Sequence, residues 1–212
     1  MINMSERILL LAIDEGRGKI VSSVDDSLLY ALAGGILTEL LLEGFITIDK
    51  DTRINLVGNP VVDEEIINEA LKMIHDSKKS HKVSYWINTL ATKNTFDGIL
   101  KRLTTQEIIR EKGKRYVWMT PSPVFPNPKG SAKYWTKFQL REMVLAGGAI
   151  DPAALALLTL IKHTKIGNLV FTRDEYLMAI TQIDLLVKSG IFTPVMISAI
   201  EKVEMALLEL WI

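Results

Sequence analysis

The chain has 212 residues and a mass of 23.8 kDa, with 48% hydrophobic and 24% charged residues, so it can bury a real core and falls outside the disordered, collagen-like and low-complexity classes. There is no cysteine, which excludes disulfide scaffolds, thiolate metal sites and thiol nucleophiles together. Formal net charge is zero, from 25 basic and 25 acidic residues, but the average hides an asymmetry: Lys101 to Arg141 holds ten cations against Glu107 and Glu111, a local charge of +8.

In chain order, residues 6–13 read as a short helix or strand and 14–19 as a turn. Uncharged runs such as Ser27–Thr38 and Ser189–Ile200 are twelve residues, short of the roughly 20 a membrane span needs. Asp25, Asp26 and Ser27 offer N-cap chemistry to a long helix with apolar residues at 28, 29, 32, 36, 37, 40 and 41. Gly34 and Gly35 inside it each cost about 1 kcal/mol against Ala, so they are read as places where another backbone or a ligand comes close. Gly44 stops that helix, and residues 45–57 alternate as a hairpin.

Pro60 is expected to open the next helix, with Asp63, Glu64 and Glu65 capping its first turn and Ile66, Ile67, Ala70, Leu71 and Ile74 on its apolar face. Helical periodicity returns at Val83–Leu90 and Phe96–Ile109. Residues 110–120 then read as a second hairpin whose outgoing strand is Arg115–Thr120. Pro121, Pro123, Pro126 and Pro128 make the segment to Gly130 an extended connection, a place for a subdomain break at 121–130 within one domain covering 1–212. Helices are expected at Ala132–Ala146, Pro152–Lys162, Arg173–Lys188 and Pro194–Leu210, the third capped by Thr172 and stopped by Gly190. The fold class is mainly α, a compact multi-helix domain with one or two β-hairpins.

Chemistry is sparse. His75, His81 and His163 lack metal-ligand spacing, Asp25–Asp26 and Asp63–Glu65 lack the alternating oxygens of a calcium loop, and "GRGK" at 16–19 has the wrong glycine spacing for a phosphate loop. There is no nucleophile elbow and no arguable Ser–His–acid set. An enzyme is not expected, no cofactor or metal is called for, and binding is left. The 101–141 block interleaves its cations with Tyr116, Trp118, Phe125, Tyr134, Trp135 and Phe138, a composition suited to a headgroup-depth membrane surface or a nucleic-acid backbone. The bland reading of the same block is a set of solvated faces whose rings point inward.

"VDDSLLYALAGGILTELLLEGFITID", with Gly34, Glu39, Leu40 and the Gly44 hairpin, resembles the Golgi phosphoprotein 3 family. Further matching stretches are "VVDEEIINEALKMIHDSKKSHKVSYWINTL", with Trp86–Ile87, then "IIREKG" (108–113) and "AIDPAALALLTLIKHT" (149–164). The resemblance implies a helical, non-enzymatic peripheral membrane protein that binds phosphatidylinositol 4-phosphate on a basic face. It also implies engagement of the cytosolic tails of membrane proteins and self-association through a hairpin, here 111–120. It places Val24 and Ala33 where the family's lipid site has a Trp and an Arg, with Lys101 and Arg102 nearest to two further family arginines. The start of the chain, close to the first core element, suits a prokaryotic relative that is cytoplasmic and membrane-associated.

The block and the resemblance together nominate Lys101, Arg102, Lys133, Lys137 and Arg141 as phosphate contacts and Trp118 and Phe125 as interfacial anchors. Each cation near an anionic surface is worth about 1 kcal/mol. Two other readings stand beside this one. The helix–Gly–hairpin units suggest a winged-helix nucleic-acid binder, although its best wing, 45–57, carries Asp49 and Asp51, and no nucleic acid is expected as partner. A soluble protein-interaction scaffold is the other.

Overall fold

The computed structural model describes residues 2–14, 19–58, 60–112, 115–118 and 132–210. The segment that reads as helix or strand at 6–13 is helix α1, Met4–Ala12. Asn3 starts it through a capping box: its side chain accepts from the Glu6 amide at 2.7 Å, and the Glu6 carboxylate accepts from the Asn3 amide at 2.8 Å. All but Arg7 of this helix is buried.

A 3-10 turn at Ser22–Val24 leads into α2, Asp25–Leu42. The N-cap position falls one residue before the expected Asp25 to Ser27. Val24 is the N-cap with no side-chain bond, and the preceding turn supplies the entry instead, with the Ser27 hydroxyl donating to the Val24 carbonyl. At its other end α2 closes as expected: Gly44 lies at φ +73°, its amide reaches Leu41 O, and the Phe45 amide reaches Leu40 O at 2.9 Å. Strands β1 (Ile46–Ile48) and β2 (Ile54–Leu56) follow as an antiparallel hairpin, with Ile48 opposite Ile54.

Helix α3 is Glu65–Asp76, so Pro60 lies outside it and Glu64 is an N-cap without a capping bond. The acidic cluster at 63–65 therefore does not cap through its side chains: Glu64 turns to Asn3 and Arg102 instead. Helices α4 (Val83–Leu90) and α5 (Lys93–Thr105) come next. The helix expected to run to Ile109 stops four residues sooner because Glu107 adopts φ +57°, and the Ile108 amide closes onto Leu103 O. Ile109 thus opens β3 (Ile109–Lys112), paired with β4 (Arg115–Trp118) in register Ile109–Trp118. The expected subdomain break at 121–130 lies outside the described residues.

Helices α6 (Ala132–Leu145), α7 (Pro152–Ile161), the short α8 (Gly167–Val170), α9 (Tyr176–Leu186) and α10 (Pro194–Leu210) complete the fold. Asp151 caps α7 through the Ala153 amide, and Pro152 sits at its first position, where no amide is missed. Helix α9 begins three residues later than expected. Thr172 is not its cap; its amide donates to Glu175 Oε2 at 2.8 Å in the preceding turn. A π turn at Val187–Ile191 then carries the chain to Gly190 at φ +93°.

Two helices form the centre. Helix α2 packs against α1, α4, α5, α7 and α10, and α7 packs against α2, α6, α9 and α10. Residues Ala154 to Ile161 are all buried, as expected of a helix apolar on every side. Each fully buried Leu or Ile here contributes about 1.5–3 kcal/mol. Gly34 and Gly35 mark the two crossings of α2: a Cβ at 34 would lie 2.8 Å from Leu207 of α10, and one at 35 would lie 2.8 Å from Ile8 and 3.2 Å from the Ser5 backbone of α1. Close approach is thus by protein, not by ligand. No helix among the described residues is long and apolar enough to cross a membrane.

Candidate functional site

The five cations nominated from sequence sit on two helices. Lys101 and Arg102 belong to α5; Lys133, Lys137 and Arg141 recur every four residues and form one stripe along α6. Both helices pack on α1, at opposite ends of it. Arg102 meets the capping box at the α1 N-terminus, whereas the Lys133 ammonium donates to the Ile13 carbonyl at the α1 C-terminus, where a cation also complements the helix dipole. Nine residues at about 1.5 Å each separate those ends by about 14 Å. The two groups do not converge on one pocket.

Arg102, Arg141 and Lys101 are also engaged with carboxylates. Arg102 Nε lies 3.3 Å from Glu6 Oε1, its NH1 contacts Glu64, and with the Gln106 amide turned to satisfy both groups the guanidinium donates to Gln106 as well. Glu6 is 0% exposed. Burial pushes its carboxyl pKa up, against the Asn3 amide and Arg102, which pull it down. Arg141 holds Glu175 in a two-pronged pair at 2.7 and 2.6 Å and donates to Val170 O at 3.0 Å, which draws the Glu175 carboxyl down to about 2. Lys101, 70% exposed, lies 3.4 Å from Glu65.

The exposed positions of α6 are Phe138, Gln139 and Glu142. Tyr134, Trp135 and Phe138 form a cluster with ring centroids 5.3–6.1 Å apart, beside the half-buried Lys133 and Lys137, and Phe138 is 41% exposed. Rings of this kind beside ammonium stems suit the depth of lipid headgroups. Trp118 lies in β4, and its side chain, like the whole of Phe125, falls outside the described residues.

Val24 and Ala33, the two positions the resemblance singles out, are fully buried. Neither can offer a donor to a phosphate. Glu39, in the stretch that carries the resemblance, is structural: its carboxylate accepts from the Met4 amide at 2.9 Å and pins the first turn of α1 to α2. Burial raises its pKa, the Met4 amide opposing. A further charged group ties α7, α9 and α10 together. Lys162 donates to Asp184 at 2.7 Å and lies 3.7 Å from Glu204, while His163 lies 3.9 Å from the other Glu204 oxygen. Burial pushes Glu204 up to about 7 despite Lys162, and burial with the neighbouring Lys162 lowers His163.

Cations without an ion pair among the described residues lie where the sequence reading did not look. Lys72, Lys78, Lys79 and Lys82, at the end of α3 and in the loop to α4, make none. Their segment holds a smaller local excess than 101–141, and "HDSKKSH" drew attention only to its histidines. The available signal was compositional: from Leu71 to Phe96 there are five lysines against Asp76 alone.

Compared with known proteins, residues 4–203 match the family model described as Golgi phosphoprotein 3 (GPP34). The chain is also similar to vacuolar protein sorting-associated protein 74 of Schizosaccharomyces pombe, 31% identical over 100 residues that cover 42% of this chain and 29% of that protein. The chain thus spans under a third of that relative's length.

Proposed function

As this chain belongs to the Golgi phosphoprotein 3 family, we propose that it is a non-enzymatic peripheral membrane protein that docks on anionic phospholipid headgroups. By kinship the headgroup is phosphatidylinositol 4-phosphate, and the partners include cytosolic tails of membrane proteins. The observation that carries this reading is the family match over 4–203, nearly the whole described fold. The exposed Phe138 of α6, in ring contact with Tyr134 and next to Lys137, supports it as part of a surface that lies at a headgroup layer. The net charge of 101–141 lends less, because Arg102 and Arg141 are consumed by carboxylates of the fold itself. With Val24 and Ala33 buried, selectivity among anionic lipids has to come from groups outside those two positions. Self-association through the hairpin 111–120 belongs to the same reading.

Flotation with vesicles tests it. Association is expected with vesicles of phosphatidylcholine containing phosphatidylserine or phosphatidylinositol 4-phosphate, weakening with salt as exposed charge is screened. No co-flotation with either vesicle at low salt sinks the proposal. Equal flotation with pure phosphatidylcholine removes its electrostatic basis.

A further inference from the structure

An open trough runs between β2, the end of α3 and the loop that follows. Its larger part has a volume of roughly 300 Å³, and a second hollow that shares Leu56 and His75 continues it towards Lys72. Asn55, His75, Lys78, Lys79, Ser80 and Trp86 are among the residues that line the larger part. Small-ligand sites span about 300–1,000 Å³, so this one is at the small end and suits a compact polar ligand.

The unused hydrogen-bonding capacity here is donor capacity. The Lys78 and Lys79 ammonium groups have no carboxylate partner, and Trp86 is 3% exposed with an indole N–H that finds no acceptor. A buried N–H left unpaired is a cost the fold carries at this wall. Asp76, which lies 3.1 Å from His75 Nδ1, is not among the residues that line the trough. The wall is also rigid. Ser80 Oγ donates to Ile54 O at 2.9 Å, the Arg53 guanidinium donates to Ser80 O, the Ile54 amide reaches His81 O at 2.9 Å and the Val83 amide reaches Thr52 O at 2.9 Å. A loop strapped to a hairpin in this way loses little freedom when a ligand binds.

We propose that this trough is a binding site for a phosphomonoester-type oxyanion, held by Lys78 and Lys79 with Trp86 in its lining. The site goes beyond the docking reading above, because its ligand is defined by the phosphate group, whether that group is carried on a lipid headgroup or on a molecule free in solution. It shares no residue with the α5 and α6 cations.

The test is NMR on the 15N-labelled full chain, titrated with inorganic phosphate and with a soluble inositol monophosphate, and with sodium chloride at matched ionic strength. The Trp86 indole N–H, assigned against Trp86→Phe, and the amides of 77–80 are expected to shift with the phosphates and not with chloride. In the double variant Lys78→Gln and Lys79→Gln, whose exposed side chains leave the fold intact, binding is expected to weaken about tenfold or more, as two charge-assisted contacts are lost. Absence of shifts, equal shifts with chloride, or unchanged affinity in the double variant overturns the site. Tighter binding of the ester than of inorganic phosphate, with the same peaks broadened by phosphoinositide vesicles, assigns it to a headgroup; equal affinities without a vesicle effect assign it to a free anion. If shifts persist while flotation fails, the docking proposal falls and the site stands. If flotation persists without shifts, the reverse holds.

Discussion

Arg102 illustrates how a cation that looks available in the sequence is spent on the fold. Its partner Glu6 is wholly enclosed, so Arg102→Ala leaves a buried carboxylate without its counter-charge and is expected to cost about 3–5 kcal/mol in urea unfolding. Lys101→Ala next to it, losing an exposed pair, is expected to change stability by no more than about 0.5 kcal/mol. If both substitutions are neutral, the structural role assigned to Arg102 is wrong. Backbone conformation offers a second check. Thr52 and Glu107 sit at φ +61° and +57° without being glycine, and Thr52 is also β-branched. Thr52→Gly and Glu107→Gly are each expected to raise the free energy of unfolding by about 0.5–1 kcal/mol in denaturant melts, since relief of the left-handed penalty exceeds the added chain entropy.

Between elements, the two glycines of α2 should respond unequally. Gly35→Ala forces a methyl against the Ser5 backbone, which cannot rotate away, and is expected to cost about 1–3 kcal/mol. Gly34→Ala meets only the rotatable end of Leu207 and gains about 1 kcal/mol of helix propensity, so its net effect should be smaller. A reversed order in denaturant melts would contradict the crossing geometry. The link between α7, α9 and α10 predicts a pH effect. Glu204 titrates near 7 when folded against 4.5 ordinarily, so the folded chain retains a proton that the unfolded chain releases between those values. Its contribution to stability is full below about pH 4.5 and is lost as pH rises towards 7; Glu204→Gln is expected to flatten that part of the profile. Glu175, drawn down to about 2, acts in the opposite sense, its contribution being lost as pH falls from about 4.5 to 2. At this scale much was legible: the apolar period and Gly44 place α2, and Pro194 to Leu210 forms the last helix as read. What the sequence hid was local exception. No pattern announces a glutamate in the left-handed region, so α5 was read four residues too long; Glu6 and Glu64 look like surface or capping acids until Arg102, about a hundred residues away from Glu6, is folded against them.

For the molecule as a whole, the lesson is that a count of charge along the chain differs from a map of charge in space. The +8 stretch contributes two arginines to internal ion pairs, whereas the less conspicuous lysines at 72–82 make none among the described residues, so any long-range attraction to an anionic layer draws on both segments. Phe138→Ser tests the α6 surface: vesicle association is expected to fall several-fold with the thermal midpoint little changed, because the ring is partly outside the core, and unchanged flotation would remove α6 from the docking face. The crossing of Gly34 by Leu207 has a consequence for biosynthesis. Helix α10 is the last described element made, yet it covers both central helices, so a nascent chain halted near Thr193 emerges with the greasy flank of α7 and the notch of α2 uncovered. Such a fragment should bind a hydrophobic dye, show no sharp melting step and occupy holdase chaperones until the seventeen residues of α10 have been added and have packed.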